Sequence, residues 1–243
     1  MTPRTLVLAS ASPARLGVLR AAGIAPRVMV SGVDEDGVGG LDAEGAACAL
    51  ALRKAGSVAD RLAADPALAR VAAAPVPAGD AAGSVPAPDS ATLAATGDGE
   101  GLPGDDPAPL VLGCDSVLAV AGDVRGKPGS AAEARHWWRG YRGREGRLVT
   151  GHAVVDLATG RRAVRAAATV VRFGRPSDAE IEAYVATGEP LAVAGGFTLD
   201  GYCAPFVDGI DGDHGTVLGL SLPLLRALLG ELDVAITDLW VHA

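Results

Sequence analysis

The sequence predicts a mixed α/β fold. Three observations carry this: short aliphatic runs of strand length, helices that open on capping residues, and an order in which hairpins alternate with crossovers. Residues 6–9 read as a buried strand that breaks at Ser10-Ala11-Ser12 and re-enters as a helix through Pro13. Ser12 is a good N-cap, and proline suits the first helical position because its missing N–H has no helical partner to lose. Residues 27–30 form an apolar strand, and residues 45–63 a helix carrying Arg53, Lys54, Asp60 and Arg61. Residues 110–114 read as a short buried strand. Residues 117–120 and Val124 flank a hairpin turn at Gly122-Asp123. Ser130 to Glu133 is a capping box opening a helix to about Tyr141, and Ser177 to Glu180 a second one opening a helix to about Thr187. Residues 151–157 and 162–173 are long strands around the Thr159-Gly160 turn. A Gly-rich loop at 208–219 precedes a last helix at 222–232. With hairpins among the crossovers, the sheet is mixed rather than purely parallel.

The chain has 243 residues, 49% apolar and 4% aromatic, which implies one globular domain over 1–243 with an aliphatic core. No apolar run reaches the ~20 residues that span a bilayer. The N-terminus lacks the order of a signal peptide. Its early arginines, Arg4, Arg15, Arg20 and Arg27, faintly resemble a transit peptide, but strand and helix explain that segment better. Three scattered cysteines make neither a disulfide framework nor a CxxC metal site, so a reducing, cytoplasmic setting is expected. Residues 66–109 hold eight of the sixteen prolines, no aromatic residue, and six acids against one base. Such a stretch cannot build a core and reads as a disordered Ala/Pro/Gly/Asp-rich surface insertion. It carries −5 of the net charge of −8, so the rest of the chain is nearly balanced. The acidic total argues against a nucleic-acid surface, while a basic pocket for an anionic ligand is still permitted.

Four segments bear chemistry. The hydroxyls of Ser10 and Ser12, the free N–H groups of the first helical turn and the cation Arg15 converge on a point where the helix dipole favours an anion. Asp34-Glu35-Asp36 is either a solvated turn or a carboxylate ligand set. Asp115, in Gly113-Cys114-Asp115-Ser116, ends a buried strand, where a carboxylate is costly unless it is paired, binds a metal or faces a cleft. Gly126-Lys127-Pro128 puts a lysine in a tight turn. There is no GxxxxGK[ST], no strand followed by GxGxxG and no GxSxG. The four histidines lack zinc or triad spacing, and His136, beside Trp137 and Trp138, reads as structural. Asp211 to Gly215 reads as a mobile loop at the mouth of a cleft; its spacing fails as a calcium loop.

Nine segments in order resemble the Maf family: residues 8–19, Asp34-Glu35, residues 52–55, residues 113–116, residues 126–128, Thr150-Gly151-His152, residues 184–190, residues 194–197 and residues 217–220. The resemblance spans nearly the whole chain except 66–109, and the Trp-Trp helix with the GGFTLDG segment is most similar to the actinobacterial branch. These are nucleoside triphosphate pyrophosphatases, related in fold to the inosine triphosphate pyrophosphatases. The resemblance therefore implies a long curved mixed sheet, two lobes around a cleft, and hydrolysis of a nucleoside triphosphate, including non-standard or modified ones, to monophosphate and pyrophosphate. It implies that Ser10, Arg15, Lys54 and Lys127 hold the triphosphate, that Glu35 and Asp115 bind Mg²⁺ or Mn²⁺, and that Asp115 activates water. A homodimer with no nucleic-acid or membrane partner is implied as well. Cations and hard oxygen ligands are the types a triphosphate of about four negative charges requires.

Two positions depart from family members that prefer dTTP and UTP: Ala14 replaces a second arginine and Asp200 a glutamine. Base selectivity therefore does not carry over. Ala14, Ser116 and Asp200 are the candidate specificity positions, with Asp200 either an acceptor for a base N–H or a surface turn residue. The alternative function is a nucleotide-binding regulator of cell division or septum formation with little turnover. A water-activating Asp115 argues against it. A single-strand nucleic-acid binder lacks interleaved basic and aromatic residues.

Overall fold

A computed structural model describes residues 4–34, 40–73 and 107–241. Seven strands, β1 (Leu6–Leu8), β2 (Arg27–Val28), β3 (Leu110–Val120), β4 (Asp123–Arg125), β5 (Glu145–Asp156), β6 (Arg162–Phe173) and β7 (Val207–Asp211), form one sheet. Its order is β2-β1-β3-β5-β6-β7, with β4 also on β3. β1 lies parallel to β2 and β3, and the other pairings are antiparallel, so the sheet is mixed as expected. Seven α-helices are described: α1 (Pro13–Ala21), α2 (Ala43–Ala64), α3 (Pro66–Ala73), α4 (Ala131–Tyr141), α5 (Asp178–Ala186), α6 (His214–Val217) and α7 (Leu222–Glu231). Among the described residues no helix is long and apolar enough to cross a membrane.

Strand alternation builds the core. Leu6, Leu8, Leu110, Leu112 and Cys114 face Leu16 and Leu19 of α1 and Leu225 and Leu228 of α7. On the opposite face Val7, Ala9 and Val111 meet Ala51, Ala55, Val58 and Leu62 of α2. α2 approaches so closely that a Cβ on Gly113 would stand 2.2 Å from the Ala51 carbonyl oxygen, and one on Gly151 2.2 Å from that of Ala47. Only glycine lets the helix backbone sit there. At the other end of β3, β5 and β6 the core is aromatic rather than aliphatic: Trp138, Tyr141, Phe173, Tyr184 and Phe197 pack together. Tyr141 stacks on Phe173 at 4.7 Å, with Trp138 edge-on to Phe173 at 5.7 Å. Two lobes thus share the same long strands.

The edge of β3 is divided. Leu110–Leu112 pair with β1 and Leu118–Val120 with β4, so residues 113–117 lie between the two partners. The opposite edge stays paired to β5 throughout, which is why the strands read separately at 110–114 and 117–120 are one.

Other boundaries also shift. The hairpin turns at Ala121-Gly122, whose φ angles of 53° and 90° make both residues left-handed. β2 stops at Val28. α2 starts at Ala43 because Asp42 caps it, accepting from the Gly45 N–H at 2.8 Å. At Ser130 the box is incomplete: its hydroxyl caps Glu133, but the Glu133 carboxylate accepts from Gly129 N–H. The Ser177 box is complete.

Residues 66–73, read as the start of a disordered insertion, form α3. The Asp65 carboxylate accepts from the N–H groups of Ala67 and Leu68, and Ala72 is buried against the α2 side of the sheet. Residues 74–106 of that expected insertion lie outside the described residues. The loop read at 208–219 contains β7 and α6. Asp213 caps α6 and its carbonyl accepts from Thr169 Oγ1 at 2.8 Å, so residues 211–215 are tied to the sheet rather than set at the cleft mouth. His136 is exposed, and the buried histidine is His152.

Candidate active site

A cleft of about 880 Å³ opens where the β3 edge divides. Ser10, Ala14, Arg15, Lys54, Asp115, Ser116, Lys127 and Asp200 all line it, whereas Asp34, the described member of the Asp34-Glu35-Asp36 run, is not among its lining residues. Glu35 lies outside the described residues.

The turn after β1 supplies one wall. The Ser12 hydroxyl accepts the Arg15 N–H at 3.4 Å, so it serves as the α1 cap and is not aimed wholly at a ligand. Ser10 Oγ accepts from Ser12 N–H at 3.2 Å and from Arg15 Nη1 at 3.0 Å. Arg15 also donates through Nε to the Gly219 carbonyl at 2.9 Å and through Nη2 to Ser116 Oγ at 3.2 Å. Three of its five N–H bonds are thereby held by described protein acceptors, which leaves two for ligand oxygens. Gly219 has φ +92°, and a Cβ there would lie 2.9 Å from Arg15 Nε. Glycine is what permits this close approach of carbonyl and guanidinium.

The floor comes from β3 and α2. Lys54 Nζ donates to Asp115 Oδ1 at 2.5 Å, and each residue is 7% exposed. Because α2 lies on the two sheet glycines, the lysine reaches the strand from above without crossing solvent. Ser116 Oγ lies 2.8 Å from Thr150 Oγ1, which in turn donates to the Thr216 carbonyl at 2.8 Å.

The far wall is fastened to the aromatic lobe. Arg125 lies over the rings of Trp137 and Tyr141, at 5.3 and 5.2 Å, and bonds to Asp123. Gly126 carbonyl accepts from Gly195 N–H at 2.8 Å, which places Lys127 across the cleft from Arg15. Trp138 Nε1 donates to the Gly196 carbonyl and the Tyr141 hydroxyl to that of Gly195, fixing the segment that leads to Phe197 and Thr198. The Glu189 carboxylate binds Thr198 Oγ1 and the N–H groups of Tyr202 and Cys203. Burial opposes its ionisation, but those hydrogen bonds outweigh it and hold the carboxyl below its usual range. Asp200 is carried on this anchored loop and is exposed at the rim.

Behind the floor, burial drops the His152 pKa to about 4, so the ring is neutral. Nε2 accepts from Ser221 N–H at 2.8 Å, which leaves Nδ1 as the donor to the Thr150 carbonyl. Burial likewise pushes the Cys114 thiol up to about 11 and leaves it unreactive.

Thr150, Thr216, Gly219 and Glu189 were not foreseen as contributors to the site. Thr150, Glu189 and Gly219 lie in segments that resemble the family, and Thr150 stands directly opposite Ser116 in the sheet; Thr216 has no such signal.

Arg15, Lys54 and Lys127 around one buried carboxylate suit a polyanion accompanied by a hard cation. Among the described residues no three of His, Cys, Asp and Glu group to hold a metal by themselves.

A family model described as Maf-like protein matches residues 5–232. A protein named nucleoside triphosphate pyrophosphatase from Streptomyces coelicolor is 50% identical over 246 residues, covering 100% of this chain and 99% of its own. Proteins with that name from Streptomyces avermitilis and Salinispora tropica are 48% and 47% identical, covering 98% of this chain and 95% and 88% of theirs. With the family model spanning nearly its whole length and relatives this similar end to end, the chain belongs to the Maf family.

Proposed function

We propose that this chain is a nucleoside triphosphate pyrophosphatase: water adds to the α-phosphorus, the α–β anhydride breaks, and nucleoside monophosphate and pyrophosphate leave. The observation that carries the reading is the convergence of Ser10, Arg15, Lys54, Asp115 and Lys127 on one cleft, in a chain whose relatives bear that name.

Arg15 offers its two remaining N–H bonds to phosphate oxygens, backed by Ser10, and Lys127 meets the phosphates from the other lobe. Oδ1 of Asp115 is bound to Lys54, and Oδ2 is the oxygen that takes the proton of the attacking water. Lys54 keeps the carboxylate in place as charge builds on the phosphates.

Asp115 fits a divalent metal of the kind that binds through one or two carboxylates and substrate phosphates rather than an all-protein cage, with Glu35 as the second carboxylate. Mg²⁺ or Mn²⁺ held this way supplies neutralisation of phosphate charge. Asp200 at the rim is an acceptor for an N–H of the base, and Ala14 leaves room where some relatives have arginine. Modified or non-standard nucleotides belong in the substrate panel for that reason. Homodimeric assembly and a cytoplasmic location accompany this reading; light scattering tests the first.

The test is pyrophosphate release by the parent and Asp115→Ala over a panel of triphosphates, with and without Mg²⁺ or Mn²⁺. The parent is expected to hydrolyse a subset only with metal, and Asp115→Ala none. Equal release by both proteins overturns the reading.

A further inference from the structure

The hydroxyl groups behind Arg15 form a chain whose proton positions follow from its end. Thr216 contributes a carbonyl, which only accepts, so the single proton of Thr150 Oγ1 points to it at 2.8 Å. Thr150 Oγ1 then offers Ser116 only lone pairs, and the Ser116 proton must point to Thr150 at 2.8 Å. Ser116 Oγ in turn offers lone pairs alone to its remaining neighbours, one of which is Arg15 Nη2 at 3.2 Å. Thr150 and Thr216 are fully buried, so no solvent competes for the bond between them, which anchors the chain at its inner end; Ser116 is half-buried at the cleft.

We propose that Thr150 is a positioning residue for substrate: it fixes the Ser116 hydroxyl as an acceptor and so aims the Arg15 guanidinium at the phosphates. A serine free to rotate would present its proton to the guanidinium part of the time, repelling the cation it is meant to hold. The inference rests on the reading of the cleft as the triphosphate site, and the experiment separates the two.

Steady-state pyrophosphate release is measured for Thr150→Val, Thr150→Ser, Ser116→Ala, Arg15→Ala and Thr5→Val, with thermal unfolding of each. Thr5 Oγ1 also donates to a carbonyl, that of Ala73 at 2.6 Å, but outside the cleft, so Thr5→Val matches the deletion without touching the chain. A guanidinium that grips the phosphates alike in the ground and transition states contributes uniform binding, so on this proposal loss of its aim raises KM more than it lowers kcat. Thr150→Val is expected to raise KM about tenfold with kcat within about threefold. Thr150→Ser, which keeps the hydroxyl, restores the parent KM, and Thr5→Val leaves both constants unchanged. Ser116→Ala removes the middle of the chain while leaving Thr150 on Thr216. It is expected to give the same rise in KM, and an unchanged KM there overturns the proposal even if Thr150→Val does not fold. An unchanged KM in Ser116→Ala or in folded Thr150→Val, while Arg15→Ala loses binding, overturns the proposal. If Arg15→Ala itself keeps the parent KM, the triphosphate reading of this wall fails first.

Discussion

Lys54 and Asp115 allow a quantitative test of how the fold carries its reactive carboxylate. The two groups are 2.5 Å apart and 7% exposed, so neither is screened as a surface pair would be. Lys54→Met keeps the aliphatic length that packs α2 on the sheet but leaves the carboxylate buried without its cation. Removal of one partner of such a pair costs about 3–5 kcal/mol. For a domain of this size each kcal/mol lowers Tm by about 2–4 °C, so a fall of roughly 6–20 °C is expected. Lys54→Met/Asp115→Leu removes both charges together, and replacement of a buried pair by apolar groups is neutral or stabilising by about 1–4 kcal/mol. The double variant is therefore expected to unfold at or above the parent Tm while releasing no pyrophosphate. Calorimetry or urea unfolding near neutral pH reads the first, and the release assay the second. A single variant that loses less than about 1 kcal/mol, or a double variant whose loss equals the sum of its parts, refutes the reasoning.

Four further outcomes follow from the same geometry. His152 titrates at about 4 in the fold against an ordinary 6.5, so the unfolded chain binds the extra proton between those values. Stability is unaffected above about pH 6.5 and falls as pH drops towards 4, by roughly 3 kcal/mol in all; His152→Gln is expected to flatten that limb in urea titrations at stepped pH. Gly113→Ala drives a Cβ to 2.2 Å from the Ala51 carbonyl oxygen, and a loss of about 3 kcal/mol or more is expected by denaturant unfolding, together with lost activity as α2 and Lys54 move. Glu189→Ala frees the segment that carries Thr198 and Asp200, so KM should rise several-fold, about 1 kcal/mol, and discrimination among bases should weaken in the substrate panel. Replacement of residues 74–106 by a short Gly/Ser linker should leave hydrolysis intact. Both flanks of that stretch are tied to neighbouring residues, Ala73 carbonyl to Thr5 and Ala108 carbonyl to Arg4. Loss of turnover in a folded deletion variant would contradict this.

Most residues that carry charge into the cleft are legible in a local pattern: a capped turn at Ser10 to Arg15, a carboxylate in a buried strand at Asp115, a glycine-flanked lysine at Lys127; Lys54 is one charge among four on its helix, and only the resemblance singles it out. Their meeting in space depends on long-range pairing, which no local pattern encodes. Thr150 stands just before the strand read at 151–157, in a segment that resembles the family but names no role for it, because its significance is its register with Ser116, 34 positions away. Likewise the composition of 66–109 masked α3, whose first residue is a proline and whose cap is Asp65. The aromatic lobe escaped notice because 4% aromatics, spread along the sequence, suggests a purely aliphatic interior until α4, β6 and α5 bring them together.

The divided edge of β3 also acts as a gauge. Five residues, 113–117, separate Leu112, the last to pair with β1, from Leu118, the first to pair with β4, which makes six steps along the strand. At about 3.3 Å per residue the two walls are held roughly 20 Å apart along an extended strand. The mouth of the cleft is therefore metered by a residue count in one rigid element. Loops on either wall can grow or shrink without changing the length of ligand admitted. Two residues added between Gly113 and Val117 would keep every side chain on its proper face yet part Arg15 from Lys127 by about 7 Å.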